Sequence, residues 1–273
     1  MTDFGMKVSK DGFSVQTAAI KDLVLHSEHF GIKIGKVGPT TFSVTSGSGG
    51  STTVAHGMGY TPGFLAYIKF GGTKYFPPSS WNIDSNYEQF LASSDGTNLN
   101  FSVDSNANSN YTATVYYFIL VDPAQPTSPA SGVATTGNYG IKISKPDVDV
   151  KSAKDTELVF SSKFNTFKVA GTGTGSLTSD ITNPKTATIA HGLGYVPAFM
   201  VFTEIHAGFG EPSTGDFYMS PHSPPASIGG SLVDETIICS IDSTNLHILM
   251  GKVVVNTGRV INYKYVFFHN QIE

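Results

Sequence analysis

Short runs of alternating apolar and polar residues, broken by clusters of Gly, Pro, Asn and Ser, dominate the chain. Runs of this kind, recurring about every 8–12 residues, predict the strands of a sandwich or barrel, and no stretch sustains a helical period. Strands are expected over Gly5–Ser9, Asp22–Ser27, Gly31–Ile34, Thr41–Thr45, Phe64–Phe70, Asn98–Val103 and Tyr111–Val121. In the last of these, Tyr111, Ala113, Val115, Tyr117, Ile119 and Val121 share one face, and Thr112, Thr114, Tyr116, Phe118 and Leu120 share the other. The second face is small and polar at first and apolar later. That predicts a central strand covered on both sides toward its end.

The pattern occurs twice. Phe4-Gly5-Met6-Lys7-Val8-Ser9-Lys10 returns as Tyr139-Gly140-Ile141-Lys142-Ile143-Ser144-Lys145, and the stretch from Thr53 to Phe64 returns from Thr188 to Phe199, both at an offset of 135. Farther on, Asp95-Gly96-Thr97-Asn98-Leu99 matches Asp242-Ser243-Thr244-Asn245-Leu246 at an offset of 147, and Glu88/Glu235 and Tyr116/Tyr263 are matched at that same offset. The extra residues of the second copy therefore precede Glu235. An insertion within a strand turns every later side chain to the wrong face, whereas a surface loop absorbs it at small entropic cost. The segment Gly71–Trp81 and its longer counterpart, 206–230, are accordingly expected to be loops. The fold class that follows is all-β: two tandem homologous β-sandwich-like domains, residues 1–122 and 139–273, each able to bury its own core. A Pro/Ser/Thr linker, 123–138, joins them, held extended at first by Pro123, Pro126 and Pro129.

Composition narrows the function classes. With charged residues at 14% and a net charge of −4, nothing suggests a nucleic-acid partner or attraction to an anionic membrane. No apolar run approaches the roughly 20 residues of a spanning helix, so membrane insertion is not expected. Met1-Thr2-Asp3-Phe4 does not read as the start of a secretory signal, which suits assembly in a cytoplasm and release at lysis. Cys239 is the only cysteine, which excludes an intrachain disulfide and a thiolate metal cluster. Its strand-like setting, Thr236 to Ile241, reads as a small buried hydrophobe.

Several motifs carry chemistry in principle. The repeated His-Gly-x-Gly-Tyr-x-Pro element offers a histidine in a glycine-rich turn, as a general base or metal ligand would need. No Cys, Asp or His stands near it at ligand spacing. The favoured reading is a structural turn made by His56, Gly57, Gly59 and Pro62, and by His191, Gly192, Gly194 and Pro197. Glycines there permit positive φ, proline fixes the next strand, and the imidazole bonds the turn backbone. Ser46–Gly50 and Gly171–Gly175 lack the Lys and helix of a phosphate loop and read as flexible hairpin tips. Asp84, Glu88, Glu211, Asp216, Asp234 and Glu235 include enough acids for a glycosidase pair, at separations the sequence does not give. Lys7 and Lys10, with Lys142 and Lys145, read as a charge-protected strand edge or a contact with a neighbouring subunit. The loop aromatics Tyr75, Phe76, Trp81, Phe209, Phe217 and Tyr218 are the best candidates for recognition, by anchoring an interface or stacking on sugar rings. Folding back onto their own domain is the alternative. No catalytic residue, cofactor or metal is assigned.

The early Gly-hydrophobic-Lys-hydrophobic-Ser-Lys element, the strands Asp22–Ser27 and Glu157–Ser162, and the Ala-His-Gly-hydrophobic-Gly-Tyr-x-Pro-x-Phe element together resemble modules of tailed-bacteriophage virion proteins, mostly tail-associated and tail-fibre-type. The resemblance covers most of both copies and carries no catalytic residues with it. It implies a non-enzymatic structural component of a virion, working through assembly with other tail proteins and with itself, as a trimer or hexamer, and through contact with a host-surface glycan. Two rivals stay open: a carbohydrate-binding adhesin or receptor-binding protein, and a cell-envelope glycoside hydrolase.

Overall fold

In the computed structural model the described residues are 7–9, 14, 16, 23–26, 32–70, 72–83, 86–105, 110–121, 142–144, 148–151, 158–161, 165–178, 180, 183–204, 217–220, 227–228, 231–232, 237–251 and 260–272. Among them there is no helix. The first copy supplies β1 (Lys7–Ser9), β2 (Leu23–His26), β3 (Lys33–Val44), β4 (Gly50–Ala55), β5 (Phe64–Phe70), β6 (Tyr75–Phe76), β7 (Ser79–Ile83), β8 (Asn86–Ser94), β9 (Asn98–Ser105) and β10 (Tyr111–Val121). The second supplies β11 (Lys142–Ser144), β12 (Leu158–Ser161), β13 (Asn165–Thr166), β14 (Val169–Thr178), β15 (Lys185–Ala190), β16 (Pro197–Glu204), β17 (Phe217–Ser220), β18 (Ser227–Ile228), β19 (Ser231–Leu232), β20 (Ile237–Ile241), β21 (Asn245–Met250) and β22 (Val260–Gln271). The expected linker, 123–138, lies outside the described residues.

The alternation read in Tyr111–Val121 places β10 between β3 and β5, antiparallel to both. Its inward residues Ala113, Val115, Tyr117 and Ile119 join Phe42 and Val44 of β3 and Ala66 and Ile68 of β5 in one core. The opposite wall of that core is Phe90, Leu99, Phe101 and Val103, from the separate sheet β4-β9-β8-β7. Ring contacts cross it, Phe101 lying 5.8 Å from Tyr117 and 6.5 Å from Phe64. The second copy orders its strands alike: β14-β22-β16-β17 repeats β3-β10-β5-β6, and β15-β21-β20 repeats β4-β9-β8. The early ribbon repeats to the residue. Lys7 opposes His26 and Ser9 opposes Leu23, while Lys142 opposes Ser161 and Ser144 opposes Leu158, with an irregularity at the same step.

Several expectations need correction. The first concerns the final strands. Gly38 opposes Tyr117, and Gly173, its counterpart at 135, opposes Tyr265. The last strands therefore correspond at an offset of 148, and Tyr116 matches Lys264. Tyr263 matches Val115, and both are buried. One extra residue between β21 and β22 resets the register outside the ladder, where alternation is not disturbed.

The second concerns Gly171–Gly175, which is no hairpin tip but the body of β14. A Cβ on Gly173 would sit 2.2 Å from the Tyr265 hydroxyl oxygen, and one on Gly38 2.4 Å from that of Tyr117. Each tyrosine ring lies across a glycine of the neighbouring strand, so the glycine is there for close approach. Ser46–Gly50, by contrast, does make a tight turn, with Thr45 bridged to Gly49 and with φ of 70° and 71° at Gly47 and Gly49.

Third, Gly71–Trp81 holds strands β6 and part of β7, and 206–230 holds β17 and β18. The alternation there is too short to be read from sequence.

Fourth, neither of the two apolar clusters is confined to one copy. Ile34, Tyr67, Tyr75 and Phe118 of the first copy belong to the apolar cluster of the second. Phe167 sits edge-on between Phe118 at 5.2 Å and Phe268 at 4.9 Å. Strand β13 pairs with the start of β3, Tyr75 of β6 is bridged to Ile241 of β20, and Lys33 donates a hydrogen bond to the Leu158 carbonyl. Burying Ile34 and Phe118 alone contributes about 1.5–3 kcal/mol each. Lys33–Ile34 and Thr41–Val44, expected in separate strands, are also the two ends of β3.

Candidate functional site

The repeated histidine turn is a hydrogen-bonded polar constellation that recurs in both copies. In the first copy Met58 N–H donates to His56 Nδ1 at 3.1 Å, and His56 Nε2 lies 3.0 Å from the Asp95 carbonyl oxygen. A ring nitrogen that accepts carries no proton, so Nε2 holds the hydrogen and donates it to Asp95. In the second copy Leu193 N–H reaches His191 Nδ1 at 3.3 Å, and His191 Nε2 lies 3.0 Å from the Asp242 carbonyl. The histidine backbone is tied the same way, His56 N–H to Thr97 and His191 N–H to Thr244. Gly57, Gly59, Gly192 and Gly194 all have φ between 67° and 75°. Pro62 and Pro197 are buried just before or at the start of the next strand. Each imidazole thus fastens a β4–β5 type connection to the β8–β9 type hairpin turn beside it, and both ring nitrogens are consumed by backbone. Nothing is left on either ring to serve as a base.

The hairpin turn has its own lock. Asp95 Oδ1 accepts from Thr97 N–H and Asn98 N–H, both at 2.7 Å, and from the Thr97 hydroxyl at 2.9 Å, while Oδ2 accepts from the Asn100 amide at 3.0 Å. The Asn98 and Thr97 amides, then Asn100 and the Thr97 hydroxyl, hold this carboxyl well below the usual carboxylate range. Asp242 repeats the arrangement with Thr244 and Asn245, but His247 stands at the Asn100 position, its Nε2 2.9 Å from Oδ2. Burial pushes the Asp242 carboxyl up; the bonds from His247 and from the Thr244 and Asn245 amides outweigh it and leave the group well below its ordinary value.

Of the sequence-selected aromatics, Tyr75 and Phe76 have described side chains. Tyr75 is fully buried, edge-on to Tyr116 at 5.5 Å and beneath the Lys69 ammonium, which removes it from the recognition set. Its alternation partner in β6, Phe76, is partly covered and packs against the first core. Trp81 lies in β7, Phe217 and Tyr218 lie in β17, and Phe209 lies outside the described residues. Of the acids, Glu88 is in β8; Asp84, Glu211, Asp216, Asp234 and Glu235 lie outside the described residues. Cys239 is fully buried, and burial pushes its thiol well up. Among the described residues no three His, Cys, Asp or Glu side chains are grouped as metal ligands would be.

Sequence reasoning missed the place where the copies meet. A groove of about 670 Å³ runs along the junction, walled by Val37 and Tyr116 from the first copy and by Lys168, His269, Asn270 and Gln271 from the second. Asn270 braces it, accepting from Lys168 N–H at 3.1 Å and donating to the Thr166 carbonyl at 3.2 Å. Deeper in the junction, the Tyr67 hydroxyl donates to the Phe199 carbonyl at 2.6 Å and accepts from the Phe199 N–H at 3.1 Å. Strand β17 pairs only with Val201–Glu204, so this phenol takes the place of a ladder partner at Phe199. Burial raises its pKa strongly, against the lowering effect of the Phe199 bond.

Comparison with known families, with curated proteins and with solved structures finds no match.

Proposed function

We propose that the chain is a non-enzymatic structural component of a bacteriophage virion, tail-associated, built as two tandem homologous β-sandwich domains and acting by subunit assembly. The observation that carries the reading is the duplication itself: strand order, turn geometry and histidine locks recur, and the recurring histidines and turn aspartates are consumed in holding the scaffold. A module whose repeated residues do structural work builds or binds. The motif resemblance to tailed-phage virion modules supplies the setting, and the shared apolar cluster supports two joined units for packing into a symmetric particle. The test is mass spectrometry and antibody labelling of purified virions from a lysate that encodes this chain. Stoichiometric presence in the particle supports the reading; recovery only in the soluble fraction overturns it.

The junction groove favours one second reading, contact with a host-surface glycan. It offers the Tyr116 ring as a stacking surface beside amide and ammonium donors, and none of its lining residues is a carboxylate. Paired-acid hydrolysis has no place in it. Glycan-array binding that disappears in Tyr116→Ala supports this second role, and unchanged or absent binding rejects it.

A further inference from the structure

The groove along the junction is lined by polar side chains that the scaffold does not use. Asn270 is spent on bracing, through Lys168 N–H and the Thr166 carbonyl. Among the described residues, the Lys168 ammonium, the Tyr116 hydroxyl and the Gln271 side-chain amide have no hydrogen-bond or ion-pair partner, and all three residues line the groove.

The same ladder positions are used differently in the first copy. There Lys33 opposes Val121, both are buried, and the Lys33 ammonium donates to the Leu158 carbonyl. The counterparts in the second copy are Lys168 and His269, since Val169 opposes Phe268 as Ile34 opposes Leu120. His269 N–H donates to the Lys168 carbonyl at 2.7 Å, so the two residues remain neighbours across the strands. Both are exposed. A buried Lys–Val pair that holds the scaffold in one copy is thus an open Lys–His pair on the groove in the other. The His269 ring is also steadied, because the Tyr195 hydroxyl donates to the His269 carbonyl at 3.1 Å and lies 3.5 Å from Nδ1. Its Nε2 has no partner among the described residues.

Charge and shape together define what fits. The chain carries a net charge of −4, yet none of the described lining residues is a carboxylate and Lys168 brings a cation, so the local field favours an anion. The Tyr116 ring, braced by Tyr75 at 5.5 Å, is a flat apolar surface, with Val37 and Pro39 on the same wall. At about 670 Å³ the groove falls within the roughly 300–1,000 Å³ of small-ligand sites. A ligand that uses all of these groups has a ring with an apolar face, hydroxyls for the amide and phenol, and one negative charge. We infer that the groove takes a sugar bearing a carboxylate, a uronic or sialic acid, its ring against Tyr116 and its carboxylate held by Lys168 and His269. The inference rests on the glycan reading of this groove given above, and names the class of sugar.

The experiment is a glycan array probed with the full chain, on which glycans ending in glucuronate, galacturonate or sialate stand beside their neutral counterparts. Calorimetry on the tightest follows. Binding is expected for the acidic glycans alone, and it weakens as salt rises because Lys168 is exposed. Lys168→Gln, which loses one charge-assisted bond, is expected to weaken binding about tenfold or more. His269→Val, which installs the residue of the first copy, weakens it as well. Melting curves followed by circular dichroism confirm that both variants fold, as expected for exposed positions. Unchanged affinity in Lys168→Gln overturns the inference, and so does inorganic phosphate that competes as well as the sugar does. The two readings fail separately. Acidic and neutral glycans bound alike, with binding lost in Tyr116→Ala, sink only the acidic preference, whereas no binding to any glycan sinks both.

Discussion

Replacing Tyr67 by Phe removes one oxygen and nothing else, and the junction geometry says what that oxygen does. Tyr67 is 1% and Phe199 3% exposed, so water has no route to the groups left behind. The ring keeps its stacking on Phe199 at 5.2 Å and its edge contact with Phe118 at 6.4 Å, so the apolar burial is unchanged. What is lost is the only described partner of the Phe199 carbonyl and N–H on that side of β16. An orphaned buried backbone group costs about 1–3 kcal/mol, so the pair costs about 2–6 kcal/mol, a large part of the roughly 5–15 kcal/mol of a typical fold. Urea unfolding followed by circular dichroism is the assay, with a lower midpoint and an unchanged slope expected. The phenol adds a second signature. Its folded-state pKa is raised, so its contribution is fully present below the ordinary tyrosine value near about 10 and is lost as pH rises above it. Tyr67→Phe therefore removes part of the alkaline loss of stability. A change below about 0.5 kcal/mol, the size of an ordinary surface substitution, refutes the claim that this hydroxyl closes the ladder.

Three further outcomes follow from the same geometry. His56→Ala orphans the buried Met58 N–H and frees the more open Asp95 carbonyl, and is expected to cost about 1–3 kcal/mol in thermal or urea unfolding; His191→Ala, at a more open site with a longer bond, costs less, and equal losses count against the assignment. Gly173→Ala drives a methyl into the Tyr265 ring and destabilises by about 1–3 kcal/mol, while adding Tyr265→Ala relieves the clash, so a double-mutant cycle showing no coupling rejects the pairing. Asp242 has a depressed folded-state pKa, so its stabilisation is present above about pH 4 and is lost as pH falls below that toward the folded value. Asp242→Asn is expected to flatten stability against pH in that acid window, and an unaltered slope contradicts the lock.

Much of the scaffold was legible because it is written in alternation and repetition. Tyr111–Val121 and Phe64–Phe70 are strands with the bounds their patterns suggest, and the offset between His56 and His191 carries over into matching hydrogen bonds. The misreadings have physical causes. Gly171–Gly175 offers no apolar side chain to mark a strand, because the apolar surface there comes from Tyr263 and Tyr265 of the neighbour; glycine at every second position opposite tyrosine at every second position was the available signal. Tyr116 and Tyr263 match by identity alone, and only the ladder shows that they face opposite ways. Tyr75 lies in a segment too short for periodicity, and its burial depends on a bridge to Ile241, far along the chain. The junction left no local trace, since a residue such as Ile34 reads as ordinary core whichever copy covers it.

The extra residue between β21 and β22 has a practical consequence. The strands on either side of it pair as their first-copy counterparts do, so the chain has already tolerated a length change at that connection without altering what it joins. A foreign peptide grafted between Met250 and Val260, such as an epitope or an affinity handle, is for that reason best placed to be carried as cargo while the body of the protein folds unchanged.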